Sequence, residues 1–323
     1  MSAPPVSASS VFVPSVVSPA AGSSPAAARR RPEGLSVVDT GSDIAAGTGT
    51  SAARATLPVL FQHGLGGDAA QVAEVFPDGA ARRLTVECRG HGGSAFGTER
   101  PFSFALFEAD LLAALDAAGV GRFVAGGISM GAGLALRLAV RHPDRVAGLV
   151  LVRPAWAFAA SPANMAPFLE VADLVRRHGA AGRDLFLASP TGRRLGEEAP
   201  DNLASLAGFF TRPQAADFAE VMAGIAADGL GVTRAEAARL AVPTLVVGNA
   251  VDAVHPLALA EELAAAIRGA GLLTVTAKAR DRAAHAAEVR AAIAGFLAGA
   301  AFAASRPPAA SRNRGAASPP PAG

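Results

Sequence analysis

The sequence predicts an α/β fold in which a mostly parallel sheet carries helices on both faces. Short, nearly continuous apolar runs alternate with helix-length amphipathic segments. Such runs are typical of strands that are buried on both faces, and their alternation with helices favours parallel pairing. The predicted strands are Pro58–Gln62, Arg83–Cys88, Arg122–Ile128, Ala147–Val152, Thr244–Val247 and Leu272–Thr276, and the predicted helices cover 69–76, 104–118, 131–141, 257–268 and 285–298.

Segments of biased composition interrupt this alternation. Both ends of the chain are rich in Ser, Pro and Ala without any period, which predicts disordered tails. A polar, Gly-rich stretch at 40–56 indicates a long surface loop. A later stretch is mostly helical by period and predicts a helical cap over the carboxyl ends of the strands, where open α/β sheets bind ligands. The predicted organisation is tails at 1–34 and 300–323, a core of 35–154 and 239–299, and a cap of 155–238.

Charge and composition narrow the classes of partner. The sequence has 29 basic and 27 acidic residues, but six of the arginines lie in the predicted tails. The remaining body is mildly acidic and has no basic stripe, which argues against nucleic acid as the partner. No long apolar run predicts a membrane span, and no secretory leader is recognisable. The single cysteine, Cys88, is compatible with a cytoplasmic protein, and the oligomeric state stays open.

One motif has the pattern of a catalytic serine. Gly127-Ile128-Ser129-Met130-Gly131 joins a predicted strand to a predicted helix. A G-x-S-x-G sequence in that context is the nucleophile elbow, a strained turn that exposes the serine hydroxyl above the sheet. Its glycines allow the strand and the helix to approach closely. The alternative is a tight turn that holds an inert serine.

A second motif is a candidate for oxyanion stabilisation. His63-Gly64-Leu65-Gly66-Gly67 follows the first predicted strand, where a glycine-rich turn can offer a backbone N–H to a developing oxyanion. The expected donors are the N–H groups of Leu65 and Met130, and His63 is interpreted as a residue that braces the turn. The alternative is a glycine turn without a catalytic role.

The order of these motifs resembles that of a known family. The chain has a strand followed by the His63 turn, then a strand followed by Cys88-Arg89-Gly90-His91-Gly92, and then the Ser129 motif. This order resembles that of α/β-hydrolases of the serine-nucleophile esterase, enol-lactonase and haloperoxidase-like branch. The resemblance extends over roughly residues 35–298. One departure is Cys88, because the family usually carries Asp at that place. The resemblance implies the α/β-hydrolase fold. No metal or organic cofactor is expected, because the six histidines are scattered and no Cys/His ligand spacing is present.

The resemblance also implies the other two members of a catalytic triad. Asp252 lies in Gly248–Pro256, which looks like the acid-bearing loop of the family, although it could instead cap a helix or a turn. The family order of serine, acid and histidine points to His285 as the base. His285 stands in an Ala-rich stretch, so it could instead be a surface helix residue. His255, beside the acid, is the next candidate.

These residues together predict a serine hydrolase of a small ester, lactone or related acyl compound, acting through an acyl-enzyme. The pocket is expected under the cap, with Arg153, Trp156 and Met165 among its lining residues. Two alternatives remain open. The same triad would serve an acyl transferase or perhydrolase, and the fold without a working base would serve as a binding protein. The sequence does not identify the natural substrate.

Overall fold

The computed structural model describes residues 34–41 and 57–299. Within these residues, seven strands form one sheet in the order β1-β3-β2-β4-β5-β6-β7. Only β1 is antiparallel to its neighbour, β3, so the predicted mostly parallel sheet is confirmed. The strands are β1 (Val37–Asp39), β2 (Val59–Gln62), β3 (Arg83–Val86), β4 (Phe123–Ile128), β5 (Val146–Val152), β6 (Thr244–Asn249) and β7 (Gly271–Val275).

Helices cover both faces of this sheet and fill the interval between β5 and β6. The helices are α1 (Ala69–Val75), α2 (Phe104–Ala117), α3 (Met130–Arg141), α4 (Ala166–His178), α5 (Gly182–Ala188), α6 (Pro190–Glu198), α7 (Pro200–Ala207), α8 (Ala215–Ala227), α9 (Arg234–Ala237), α10 (Leu257–Ala266) and α11 (Arg282–Gly299). The predicted tails, except Gly34, and most of the predicted loop at 40–56 lie outside the described residues.

The two faces of the sheet pack into separate apolar clusters because successive strand residues point to opposite sides. In β2, Leu60 belongs to the larger cluster, whereas Val59 and Phe61 belong to the smaller one. All four residues of β2 and all six of β4 are buried. This two-sided burial explains why the central strands have almost no polar residues.

The helices between β5 and β6 make polar contacts with the loop that follows β6. On α7, Oδ1 of Asn202 accepts hydrogen bonds from the N–H groups of Ala253 at 2.8 Å and Val254 at 3.3 Å. The side-chain amide of Asn164 donates to the carbonyl of Val254 at 2.7 Å. These bonds fix the loop that carries Asp252 and His255. Of the helices in the described part of the chain, none is long and apolar enough to cross a membrane.

Candidate active site

Ser129 occupies a strained turn between β4 and α3. Its backbone has φ 57° and ψ −113°, a conformation that L-residues rarely adopt outside functional sites. A side chain on Gly131 would overlap the carbonyl group of Gln62, and one on Gly127 would overlap the backbone of Gly131. The two glycines of the motif are therefore required by close packing of the turn against β2. Ser129 precedes α3, yet its hydroxyl does not cap that helix.

The hydroxyl of Ser129 instead contacts a histidine. Nε2 of His255 lies 2.8 Å from Oγ of Ser129, and Nδ1 of the same ring lies 2.9 Å from Oδ1 of Asp252. The ionised carboxylate can only accept, so Nδ1 carries the proton and Nε2 is free to accept one from the serine. The structure thus joins Ser129, His255 and Asp252 in the chain of contacts that a nucleophile, base and orienting acid require.

A turn within the acid loop brings His255 to this position. Oδ1 of Asp252 accepts the backbone N–H of His255 at 3.0 Å, so the carboxylate holds both the backbone and the ring of the same residue. Val251, just before the acid, has φ 60°. Together with the bonds from α7, this turn directs the His255 ring towards Ser129.

Arg153 supports Asp252 from the opposite side. Its Nε and one terminal nitrogen donate to Oδ2 of Asp252 at 2.9 Å and 2.5 Å. Arg153 thus binds Oδ2 of Asp252, whereas Nδ1 of His255 lies 2.9 Å from Oδ1 and 3.1 Å from Oδ2. Arg153 follows β5 directly and has φ 46°, a left-handed backbone that turns the side chain under the acid loop. A carboxylate fixed in this way keeps the imidazole in one orientation.

Electrostatics around the site favour an ionised acid and a neutral base. Burial disfavours the charged form of Asp252, but His255 and Arg153 outweigh it and hold the pKa of that carboxyl far below its usual range. Burial also lowers the pKa of His255, and Arg153 adds to this effect, while Asp252 opposes it. An unprotonated imidazole next to a serine hydroxyl is the form that general-base catalysis requires.

The structure does not bring the predicted base, His285, to Ser129. His285 lies inside α11, which begins at Arg282, and its Nδ1 bonds the carbonyl of Thr276 at 2.8 Å. Among the described hydrogen bonds, none joins His285 to Ser129. The Ala-rich stretch starts the helix early, so His285 takes up a helical position instead of the end of a loop. The histidine that contacts Ser129 is thus His255 and not the predicted His285.

The two predicted oxyanion donors have free N–H groups beside Ser129. In the glycine turn, the N–H groups of Gly64 and Gly66 donate to Gln71 and His91, and that of Gly67 donates to the carbonyl of Gly64. Within the described part of the chain, the N–H of Leu65 has no protein acceptor. The N–H of Met130, in the first turn of α3, has none either. Neither N–H group is therefore committed to another described part of the protein.

Two buried histidines brace the loops around the site. Nε2 of His63 accepts the N–H of Cys88 at 3.0 Å, and its Nδ1 bonds the carbonyl of Gly64 at 2.9 Å. Nε2 of His91 accepts the N–H of Gly66 at 3.0 Å. Burial lowers the pKa of both rings. These bonds agree with the interpretation of His63 as a bracing residue.

A cleft of about 90 Å³ opens onto Ser129 and His255. Its apolar wall is formed by Ile128, Phe168, Leu206, Phe209 and Val254, and its polar wall by Gln71, Arg153, Asn202, Ser205 and Lys278.

Two of the predicted pocket residues do not line this cleft. Trp156 is fully buried, packs edge-on against Phe104, and donates its indole N–H to the carbonyl of Asp228. Met165 is 1% exposed, and both Trp156 and Met165 belong to the larger apolar cluster of the core. Both side chains are used to pack the helices after β5 against the core. Arg153 does line the cleft, but its guanidinium is paired with Asp252.

Metal-ligating side chains are scattered. In residues 34–41 and 57–299, no group of three or more His, Cys, Asp or Glu side chains could hold a metal ion. The thiol of Cys88 is buried, and this burial raises its pKa, so it is not a reactive nucleophile.

Comparison with known proteins agrees with this architecture. The family model described as the alpha/beta hydrolase fold matches residues 58–278, which include every strand of the sheet except β1. The chain belongs to the α/β-hydrolase fold family. The resemblance inferred from the order of the motifs, and the expectation of a hydrolase, are thus confirmed at the level of the family.

Individual α/β-hydrolases share both sequence and fold with this chain. A protein of Klebsiella pneumoniae (strain 342) that is named as a carbamate hydrolase, RutD, is 33% identical in an alignment of 201 positions that covers 58% of this chain and 69% of that protein. The enol-lactonase of Burkholderia xenovorans LB400 has a TM-score of 0.57 at 24% identity and covers 83% of this chain and 95% of its own. A thermophilic esterase from Thermogutta terrifontis has a TM-score of 0.56 at 23% identity, covering 82% and 90%.

Proposed function

We propose that this α/β-hydrolase cleaves a small ester, lactone or related acyl compound by serine nucleophilic catalysis. The observation that carries the proposal is the contact of 2.8 Å between Nε2 of His255 and Oγ of Ser129, continued at 2.9 Å to Asp252. A working nucleophile and base lie about 2.6–3.2 Å apart. The names of similar proteins, a carbamate hydrolase, an enol-lactonase and an esterase, support acyl chemistry of this kind.

The first half of the reaction forms the acyl-enzyme. Oγ of Ser129 attacks the carbonyl carbon, and Nε2 of His255 takes the hydroxyl proton. The oxygen of the tetrahedral intermediate becomes negative and is stabilised by the N–H groups of Leu65 and Met130. Removing one such donor typically costs about 10²–10³ in rate. The intermediate collapses when the bond to the leaving group breaks, and His255 returns the proton to that group.

The second half regenerates the serine. Water attacks the acyl carbon while His255 accepts a proton, and the new intermediate expels Ser129 Oγ, which regains its proton from the imidazolium. The charge on the imidazolium is balanced by Asp252, which Arg153 holds in place. The acid or carbamate product then leaves the cleft. An acyl transferase would share the first half and replace water by another acceptor.

Trapping of the acyl-enzyme tests this proposal. The protein is allowed to react briefly with p-nitrophenyl acetate, and the reaction is then stopped with acid. We expect the peptide that contains Ser129 to gain the mass of one acetyl group, and we expect turnover of the ester. The Ser129→Ala variant is the matched control and should show neither. Turnover without acetylation of Ser129, or equal turnover in the variant, would refute the serine mechanism. Product analysis with added alcohols separates hydrolysis from acyl transfer.

The pH dependence of turnover reports on the base. The active form of His255 is neutral, and its pKa is lowered below the ordinary 6.5 by burial and by Arg153. We therefore expect kcat/KM to stay high as the pH falls through 6.5 and to decline only at lower pH. Arg153→Met removes one of the groups that lower the pKa of His255. In this variant, the fall in kcat/KM should therefore occur at higher pH. An acid limb centred above 6.5 in the unmodified protein would contradict the assignment.

A further inference from the structure

One wall of the Ser129 cleft is cationic and carries no acidic side chain. Arg153, Lys278 and His255 are the titratable residues that line the cleft. Arg153 is neutralised by Asp252, and His255 is used by the triad. Lys278 is therefore the charged group of this wall that the proposed mechanism leaves unused.

Lys278 has an unusual position for a lysine. It is the only lysine in the sequence, and it lies three residues after the carboxyl end of β7. The side chain is half-buried, and within the described residues it makes no hydrogen bond or salt bridge. The carboxylates of Asp201 and Asp252 attract it from a distance, but Oδ2 of Asp252 is already bonded to Arg153. A lysine kept from water usually acquires a partner.

The surroundings of Lys278 favour an anionic partner from outside the protein. Burial and the neighbouring Arg153 lower the pKa of Lys278, so the nearby carboxylates compensate its charge only in part. A second cavity, of about 40 Å³, meets the cleft at a wall that contains Arg153 and Lys278. The one acidic residue of that second cavity, Glu74, is paired with Arg282.

We propose that Lys278, next to Arg153, binds a carboxylate of the substrate while the scissile carbonyl lies at Ser129. The inference rests on the proposed function and narrows its substrate class to small acyl compounds that carry a free carboxylate. The apolar wall of Phe168, Leu206 and Phe209 would contact the hydrocarbon part of such a substrate. A charged hydrogen bond of this type improves both binding and orientation.

Two esters of similar shape, one anionic and one neutral, test whether Lys278 recognises a carboxylate on the substrate. Monoethyl succinate and ethyl 4-methylpentanoate differ at the far end of the acyl chain, where a carboxylate replaces an isopropyl group. We expect the ratio of kcat/KM for the anionic ester over the neutral one to fall by about 10- to 100-fold in Lys278→Met. Lys278→Arg should retain most of the ratio. Arg280→Met removes an exposed charge two positions away and should leave the ratio unchanged. A ratio that is the same in Lys278→Met as in the unmodified protein would overturn the inference.

A binding measurement keeps this inference separate from the catalytic proposal. Because Lys278 is the only lysine, its acetylation by acetic anhydride can be followed on one peptide. In Ser129→Ala, monoethyl succinate should protect Lys278 and diethyl succinate should not. If neither ester is hydrolysed by the unmodified protein but this protection is seen, the serine mechanism fails and the carboxylate site stands. Equal labelling with and without monoethyl succinate would overturn the site.

Discussion

Replacing His255 by alanine is expected to lower kcat/KM for a small ester by about 10⁴- to 10⁶-fold, as loss of the triad histidine does in serine hydrolases. The variant lacks the group that takes the proton of Ser129, and no other histidine contacts the hydroxyl among the described residues. The thermal unfolding temperature should be measured in parallel, because the ring also contacts Asp252.

The matched control is His285→Ala. His285 is 5% exposed, and its Nδ1 bonds the carbonyl of Thr276. It lines the second cavity, beside Arg153 and Lys278, and not the cleft at Ser129. Its removal should change kcat/KM by less than about tenfold, because it takes no part in the proton transfer. A collapse of activity in His285→Ala, with His255→Ala nearly unaffected, would show that the family position of the base is used after all.

Asp252→Asn should lower kcat by about 10⁴-fold, because an amide in place of the carboxylate favours the wrong tautomer of the histidine. The variant should also lose stability. Arg153 is 8% exposed and would be left as a buried charge without its partner, a change that typically costs about 3–5 kcal/mol. Steady-state kinetics and chemical denaturation of the same preparation measure the two effects.

A double variant separates the catalytic effect from the structural one. Asp252→Asn combined with Arg153→Gln removes both charges of the pair, so we expect part of the lost stability to return. Activity should stay at the level of the single variant, since the orienting carboxylate is still absent. Recovery of activity together with stability would mean that Asp252 acts only through folding, which contradicts its place in the triad.

Much of the fold is predictable because the central strands are buried on both faces. Their apolar runs leave a clear pattern, and the predicted strand Thr244–Val247 differs from β6 only in its carboxyl end. The strand that the sequence analysis missed is β1. It has three residues, all half-buried, and pairs antiparallel at the sheet edge, so neither burial nor alternation marks it in the sequence.

Local context in the sequence predicts the proposed nucleophile and the proposed acid, but not the proposed base. Ser129 lies in a motif whose glycines are required by the turn itself. His255 is three residues from Asp252, and only the folded loop directs its ring to the serine. The available signal was the pair Asp252 and His255 before Pro256 at a helix start, where a carboxylate can bind the backbone N–H of the third residue after it. The order of serine, acid and histidine in the family instead favours His285, which comes later in the chain than Asp252.

The roles of Arg153 and Lys278 depend on contacts that no local pattern encodes. Arg153 could be placed at the end of a strand, but its pairing with Asp252 is a contact across 99 residues. Lys278 follows β7 and reaches the cleft because the sheet places β5, β6 and β7 side by side. Trp156, an obvious candidate for a pocket, is used in packing instead because Phe104 and the carbonyl of Asp228 surround it.

The rate at which a fluorophosphonate modifies Ser129 isolates the step that the account depends on, because it needs activation of the serine but no particular substrate. Second-order rate constants should be measured for the unmodified protein, His255→Ala and His285→Ala, with the adduct mapped to Ser129. We predict a fall of at least about 100-fold in His255→Ala, the usual scale of general-base assistance, and near-normal labelling in His285→Ala. Undiminished labelling of Ser129 in His255→Ala would contradict the account.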